Sequence, residues 1–187
     1  MSVHARRLPA WRARGAVTAA LGLLLVLMLA GCREQRAEDF ADLGRQALAQ
    51  DDHNAAVAAY ERSIKLHPTA EAYLGLGIAY DLKGNTDKAL LNLNLCLQLD
   101  PNNAVAYYRR GNVLGSLGNY TGALSDFSRA IALNPQYAEA YLSRGATMLE
   151  LGSTQRARED LFNALALTRD PAMRMQIERA LRATESR

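Results

Sequence analysis

The chain has 187 residues, within the range of one domain. Charge is nearly balanced, with 22 Lys and Arg against 19 Asp and Glu, and the small excess is local: residues 1–32 hold Arg6, Arg7, Arg12 and Arg14 and no acid, leaving 18 basic against 19 acidic residues in the remainder. That remainder offers no basic field for nucleic acid, and two cysteines, Cys32 and Cys96, make no disulfide framework.

The N-terminal stretch is basic up to Arg14 and then uncharged over residues 15–31, GAVTAALGLLLVLMLAG. A basic region followed by an apolar run reads as a secretory signal. The alternative is an uncleaved membrane helix, for which 17 uncharged residues reach only the short end of a span. The run ends Leu29-Ala30-Gly31-Cys32, which resembles the bacterial lipobox at every position. The resemblance implies a signal peptide over residues 1–31, cleavage before Cys32, diacylglycerol on its sulfur and acylation of the new amine. Several acyl chains, at about 0.8 kcal/mol per buried methylene, make a stable membrane anchor. Arg33, not Asp, follows the cysteine, and by the enterobacterial sorting pattern this implies the outer membrane, facing the periplasm. Residues 32–36 are expected to form a short tether reaching at most about 17 Å.

Beyond the tether the sequence repeats. Tyr73, Tyr107 and Tyr141 are spaced by 34, and so are Gly77, Gly111 and Gly145, then Gly84, Gly118 and Gly152, then Ala89, Ala123 and Ala157. An upstream copy carries Phe40, Gly44, Ala56, Tyr60 and Pro68, each 33 before its counterpart, with the missing residue in the turn after Pro68. A fixed period of this length marks a stacked repeat. Four copies result, over 37–69, 70–103, 104–137 and 138–169. The spacing predicts first helices over about 37–50, 70–83, 104–117 and 138–151, and second helices over about 53–66, 86–99, 120–133 and 154–167.

Turn chemistry separates the two helices: Gly84-Asn85, Gly118-Asn119 and Gly152-Ser153, with Asp51-Asp52 in the same place in copy one. Pro68, Pro101 and Pro135 stop the second helices. Glycine inside a helix costs about 1 kcal/mol, so its recurrence at Gly44, Gly77, Gly111 and Gly145 points to close packing. Phe40, Tyr73, Tyr107 and Tyr141, with Tyr60, Leu93, Phe127 and Leu161, are the expected core. Copy four has Arg169 where proline is expected; Asp170 reads as an N-cap and Pro171 as the first helical residue of an end helix. Met173, Ile177, Ala180 and Leu181 give that helix one apolar face, so residues 170–187 form a cap and tail.

The order aromatic, Gly, Ala, aromatic, Ala, Pro within each period resembles the tetratricopeptide repeat over roughly residues 37–169. The resemblance implies an all-α fold: a right-handed superhelical solenoid of four helix-turn-helix repeats with a C-terminal capping helix. It also implies a binding scaffold whose first helices line a concave groove. Groove positions here include Leu74, Ile78, Val105, Tyr108, Arg109, Asn112 and Leu142. Some members hold a C-terminal carboxylate with a Lys/Asn/Arg clamp; Asn112 and Arg109 match parts of it, but Ala41, Leu74 and Val105 stand at the Lys positions, so the clamp is rejected. The groove is expected to take an apolar or amphipathic segment. Coverage of the same stripe by the end helix or by a second copy is the alternative. Tyr108, which has no aromatic counterpart at Ala41, Leu74 or Leu142, is either an anchor for that segment or a packing residue on the neighbouring helix. Arg109, Arg110 and Arg144 form a small basic cluster, or pair locally with acids.

No catalytic constellation is visible. His53 and His67 lie 14 residues apart, about 21 Å along one helix. No HExxH, CxxC or GxxxxGK[ST] pattern occurs. Cys96 stands in a small-residue slot with Ala130 and Ala164, as a buried inert thiol. No cofactor, metal or nucleic acid is expected, and the chain is not expected to be an enzyme. It looks like a small bacterial tetratricopeptide lipoprotein, a lipid-anchored envelope scaffold of the kind used in pilus biogenesis or in docking peptidoglycan hydrolases. The alternatives are a pilotin-like escort of a secretin subunit and a purely self-assembling subunit.

Overall fold

In the computed structural model the backbone is described for residues 10–185 and side-chain environments for residues 28–184. Most of the expected signal segment therefore lies outside the described side chains. The described residues form nine helices and no strand: α1 Ala10–Ala49, α2 His53–Leu66, α3 Ala70–Leu82, α4 Thr86–Leu99, α5 Ala104–Ser116, α6 Tyr120–Leu133, α7 Ala138–Glu150, α8 Thr154–Leu167 and α9 Pro171–Glu185. The second helices begin and end where the spacing puts them. The first helices of copies two to four stop one residue sooner, because Lys83, Leu117 and Leu151 serve as C-caps.

The stops have a local cause. The Gly84 N–H donates to the Asp81 carbonyl at 2.8 Å and the Asn85 N–H to the Tyr80 carbonyl at 2.9 Å. That closure needs a left-handed residue, and Gly84, Gly118 and Gly152 supply it at φ 72°, 76° and 72°. Copy one asks the same of Asp51, at φ 56°. Asp51→Gly should therefore raise stability by about 0.5–1 kcal/mol in urea unfolding; a lower midpoint would mean that the Asp51 side chain offsets its own backbone strain. The next helices open on side-chain caps. Asp52, Thr69, Asn85, Asn103 and Asn119 accept from the N–H groups of Ala55, Ala72, Lys88, Ala106 and Gly122. Asp170 likewise accepts from Ala172, at 3.0 Å, with Pro171 opening α9.

Each repeat is built on a large side chain facing a glycine. Tyr60, Leu93, Phe127 and Leu161 are at most 2% exposed. A Cβ on Gly77 would sit 2.8 Å from Leu93 Cγ, and one on Gly111 2.7 Å from Phe127 Cε1. Tyr60 needs more room than Leu and meets two glycines: a Cβ on Gly44 or on Gly75 would overlap its ring. Gly75 has no glycine counterpart in the other copies, and the period alone does not reveal it.

The other expected core set is only half-buried. Tyr73, Tyr107 and Tyr141 lie at the seams between repeats, and Phe40 at the near end of the first. The closest approach is made one position earlier, by Ala72, Ala106 and Ala140, all 0% exposed. A tyrosine is too large for that gap and sits at its edge, where a guanidinium covers one ring face. Arg110 lies over Tyr107 at 5.5 Å and Arg144 over Tyr141 at 5.7 Å.

Those two arginines are structural. Arg110 Nε and Nη2 each donate to Asp126 at 2.7 Å, and its Nη1 donates to Asn94 Oδ1 at 2.6 Å. Thirty-four residues on, Arg144 repeats the fork with Asp160 at 2.7 and 2.8 Å and reaches Ser128 Oγ at 3.0 Å. Each thus ties its own second helix to the preceding one. The Asp126 hydrogen bonds hold the Arg110 guanidinium above the usual arginine range, and Asp160 does the same for Arg144. Copy two fills the same slots with Leu76 and Asn92, both buried.

Odd-numbered helices touch one another in line, α1 to α3, α5, α7 and α9, whereas among the described residues even-numbered helices do not touch one another. The array therefore curls toward its odd-numbered side. α9 closes the far end as its pattern predicts: Ile177, 0% exposed, packs with Leu161 and Ala164, flanked by Met173, Ala180 and Leu181. At the near end α1 runs without a break through residues 32–36, where the sequence suggests a tether. Arg33, Glu34, Gln35 and Arg36 are ordinary helix formers, with no Gly or Pro to interrupt them.

Candidate functional site

The concave side carries the groove positions, and helical register decides how far each reaches it. Leu74 and Ile78 on α3 are half-buried, and Leu74 also packs into the core of copies one and two. On α5, Val105 is 39% exposed, while Tyr108, Arg109 and Asn112 are half-buried. Leu142 on α7 is half-buried against the α8–α9 core. Tyr108 and Leu142 come together in one hollow of about 420 Å³, completed by Glu139, Ser143 and Ala146 and by Met173, Gln176 and Ala180. Those last three belong to α9. The end helix is thus one wall of the groove as well as a cap. Its apolar face is legible in the sequence, but that the edge of this face borders the groove follows only from how α9 crosses α7.

Tyr108 does two things at once. One side faces the hollow. The other rests on Tyr137, ring centres 4.9 Å apart, and on Phe127 at 6.1 Å. Burial pushes the Tyr137 hydroxyl up to about 12, with the Tyr108 hydroxyl adding in the same direction. Arg109 lies over the Tyr108 ring at 5.8 Å, and its Nε is buried without a hydrogen-bond partner. Of the three arginines read as a cluster, Arg110 and Arg144 point into ion pairs and Arg109 alone faces the groove. Across from it, burial raises the Asp81 carboxyl, and Arg109 acts to lower it. Arg45, the other groove cation, is taken up by Asp42 and Glu71. Glu139 lines the hollow and Asp81 faces Arg109, which leaves the groove with an acidic excess around its apolar centre.

The remaining candidates lie elsewhere. Cys32 is exposed on α1, outside the hollow lined by Tyr108 and Leu142, and Cys96 is fully buried, its thiol pushed up to about 11 by burial first and Asp100 second. Among the described residues no group of three His, Cys, Asp or Glu side chains is placed to hold a metal ion, and no helix is long and apolar enough to cross a membrane.

Sequence profiles described as tetratricopeptide repeats match residues 41–104 and 93–125, and one described as TPR repeat matches residues 111–152. Together they run without a gap through most of the repeat body. Among curated proteins, the UDP-N-acetylglucosamine–peptide N-acetylglucosaminyltransferase of Giardia intestinalis is 32% identical over 71 residues. That stretch is 37% of this chain and 5% of the relative, so the chain spans a small fraction of that protein's length. Among solved structures, a thermophilic tetratricopeptide protein of Thermus thermophilus is 27% identical, covering 80% of this chain and 81% of its own, with a TM-score of 0.68. Pseudomonas aeruginosa pilF, 19% identical, covers 82% of this chain and 71% of its own with a TM-score of 0.73 and shares the fold. The first repeat domain of Spaghetti, bound to an HSP90 peptide, is 26% identical over 63% of this chain and 96% of its own, with a TM-score of 0.58. Four helix pairs at a step of 33 or 34, curled toward their first helices, and repeat profiles that together run through residues 41–152 give the chain the fold of a tetratricopeptide-repeat solenoid.

Proposed function

We propose that this chain is a lipid-anchored scaffold of the bacterial envelope that holds an amphipathic segment of a protein partner in its concave groove, in envelope or pilus assembly. The observation that carries the groove reading is the hollow between α5, α7 and α9, apolar at Tyr108, Leu142 and Met173 and acidic at Glu139. An apolar anchor flanked by basic residues suits it, since Asp81 and Glu139 outnumber Arg109. The Spaghetti domain with its bound peptide supports a peptide segment as the occupant. The anchor rests on Leu29-Ala30-Gly31-Cys32, with Cys32 exposed and so open to acylation. The outer membrane is the proposed address, from Arg33 after the cysteine.

The test is crosslinking of the full chain in its native membranes, with acyl labelling of the same samples. Tyr108→Ala should weaken partner capture by at least about fivefold, the level that marks a contributing interface residue. Cys32→Ala should leave an unprocessed precursor without acyl label. Undiminished capture by Tyr108→Ala overturns the groove, and palmitate on Cys32→Ala overturns the anchor.

A further inference from the structure

A stack of repeats has two ends, and each exposes the face that inner repeats bury against a neighbour. α9 covers the far end. Among the described residues nothing covers the near end. Position 43 shows this directly: Leu76, its counterpart in copy two, is 5% exposed beneath the preceding helix, whereas Leu43 is 51% exposed. Ala59 stands where Asn92, Asp126 and Asp160 are buried. Leu43 and Phe40 border a shallow hollow of about 310 Å³ with Ala55, Ala58, Ala59 and Arg62. End repeats of soluble arrays carry a polar outer face. This one is apolar in the middle.

Its edge is basic. The Arg62 guanidinium lies 5.7 Å from the centre of the Phe40 ring, and Arg33 Nη2 donates to the Lys65 carbonyl at 3.4 Å. Arg36 is one turn before Phe40 and two before Leu43. Arg33, Arg36, Arg62 and Lys65 border this face, and none of the four is buried. Among the acids of copy one, Asp39 lies along this stripe, one turn before Leu43, and is outnumbered by the four cations. Asp51 and Asp52 sit at the α1–α2 turn, Tyr80 donates to Glu61 at 2.7 Å, and Gln35 donates to Asp39 at 3.3 Å. Asp42 pairs with Arg45. Cys32 belongs to the same stripe: Cys32, Arg36, Phe40 and Leu43 follow one another at steps of four, four and three along one face of α1.

We propose that this end face of the first repeat rests on an anionic bilayer surface, its four cations at the headgroups and Phe40 and Leu43 at the interface. Basic residues around exposed apolar ones are the composition that anionic lipid attracts. A second copy is the weaker occupant: two chains anchored at Cys32 in one membrane and meeting by this face would bring Arg36 and Arg62 against their own counterparts. The proposal deepens the anchored reading and rests on it for the presence of a bilayer.

The test places a photoreactive benzoylphenylalanine at Leu43 or, for reference, at Phe162, which is exposed at the opposite end of the array. The full chain, taken from its membranes, is reconstituted into vesicles of one part phosphatidylglycerol to three parts phosphatidylcholine, or of phosphatidylcholine alone. Lipid adducts at position 43 should exceed those at 162 by at least about tenfold on the anionic vesicles, and Arg36→Glu with Arg62→Glu should remove that excess. Both arginines are exposed, so the charge reversal leaves the fold intact, which helical circular dichroism checks. Equal adducts at the two positions overturn the proposal, as does an adduct at 43 to a second chain. Acyl label at Cys32 is read on the same samples. Label without lipid adducts at 43 sinks the end face and spares the anchor; adducts without label sink the anchor and spare the end face.

Discussion

Asp126→Ala should lower the unfolding free energy by about 3 kcal/mol, while the double change Arg110→Leu with Asp126→Asn should stay within about 1 kcal/mol of the parent. The asymmetry follows from burial. The Asp126 side chain is 7% exposed and the Arg110 side chain 24%. Truncating the acid leaves a largely desolvated guanidinium with only Asn94 to satisfy it. Replacing both partners removes the charge altogether, and copy two already shows a working replacement. There Leu76 packs in the arginine slot, and the Asn92 amide turns back to donate to the Lys88 carbonyl at 2.8 Å. In the double variant the new amide at position 126 would find the Gly122 carbonyl at the same i−4 offset. The measurement is urea unfolding of both variants, with the single changes Arg110→Leu and Asp126→Asn completing a double-mutant cycle that isolates the coupling between the two positions. If the double variant loses as much as Asp126→Ala, the pair contributes net stability, and the equivalence of the two slots is wrong.

That pair also marks a limit of what the sequence discloses. Its members are 16 residues apart on different helices, so no local spacing announces them. The signal is present in another form: Arg110 and Arg144, like Asp126 and Asp160, recur at the repeat step of 34. Two of the three arginines that read as a surface cluster are one structural device seen twice. What repeats is legible, because the period and the glycine facing each large residue restate one packing solution four times, and the turn glycines restate it three times. What occurs once is not. Gly75 is a glycine only because Tyr60, larger than Leu93 or Leu161, fills that repeat. The groove wall made by Met173, Gln176 and Ala180 depends on the crossing of α9 over α7, and an apolar stripe on α9 specifies burial without specifying which edge stays open. The seam tyrosines show the limit of register itself. One step of about 100° separates Ala106 from Tyr107, and that step decides which of the two is enclosed.

Phe127 joins the core to the groove, and its truncation should be felt in both. It is 1% exposed, lies against the space left by Gly111, and has its ring centre 6.1 Å from that of Tyr108. Phe127→Ala should cost about 3–5 kcal/mol, the range for a buried aromatic whose surroundings cannot close the cavity. Phe127→Leu should cost less than about 1.5 kcal/mol, because Leu93 and Leu161 fill the same slot opposite Gly77 and Gly145. The two variants separate stability from function. Phe127→Leu keeps the fold but removes one of the two rings that hold Tyr108, leaving Tyr137 alone. If Tyr108 is an anchor held in place by those rings, partner capture by Phe127→Leu falls although its thermal unfolding is close to the parent's. If Tyr108 serves only to stiffen the stack, Phe127→Leu binds as the parent does, and loss of capture appears only in Phe127→Ala, in step with unfolding. That second pattern would assign the hollow between α5, α7 and α9 to packing and remove Tyr108 from the binding surface.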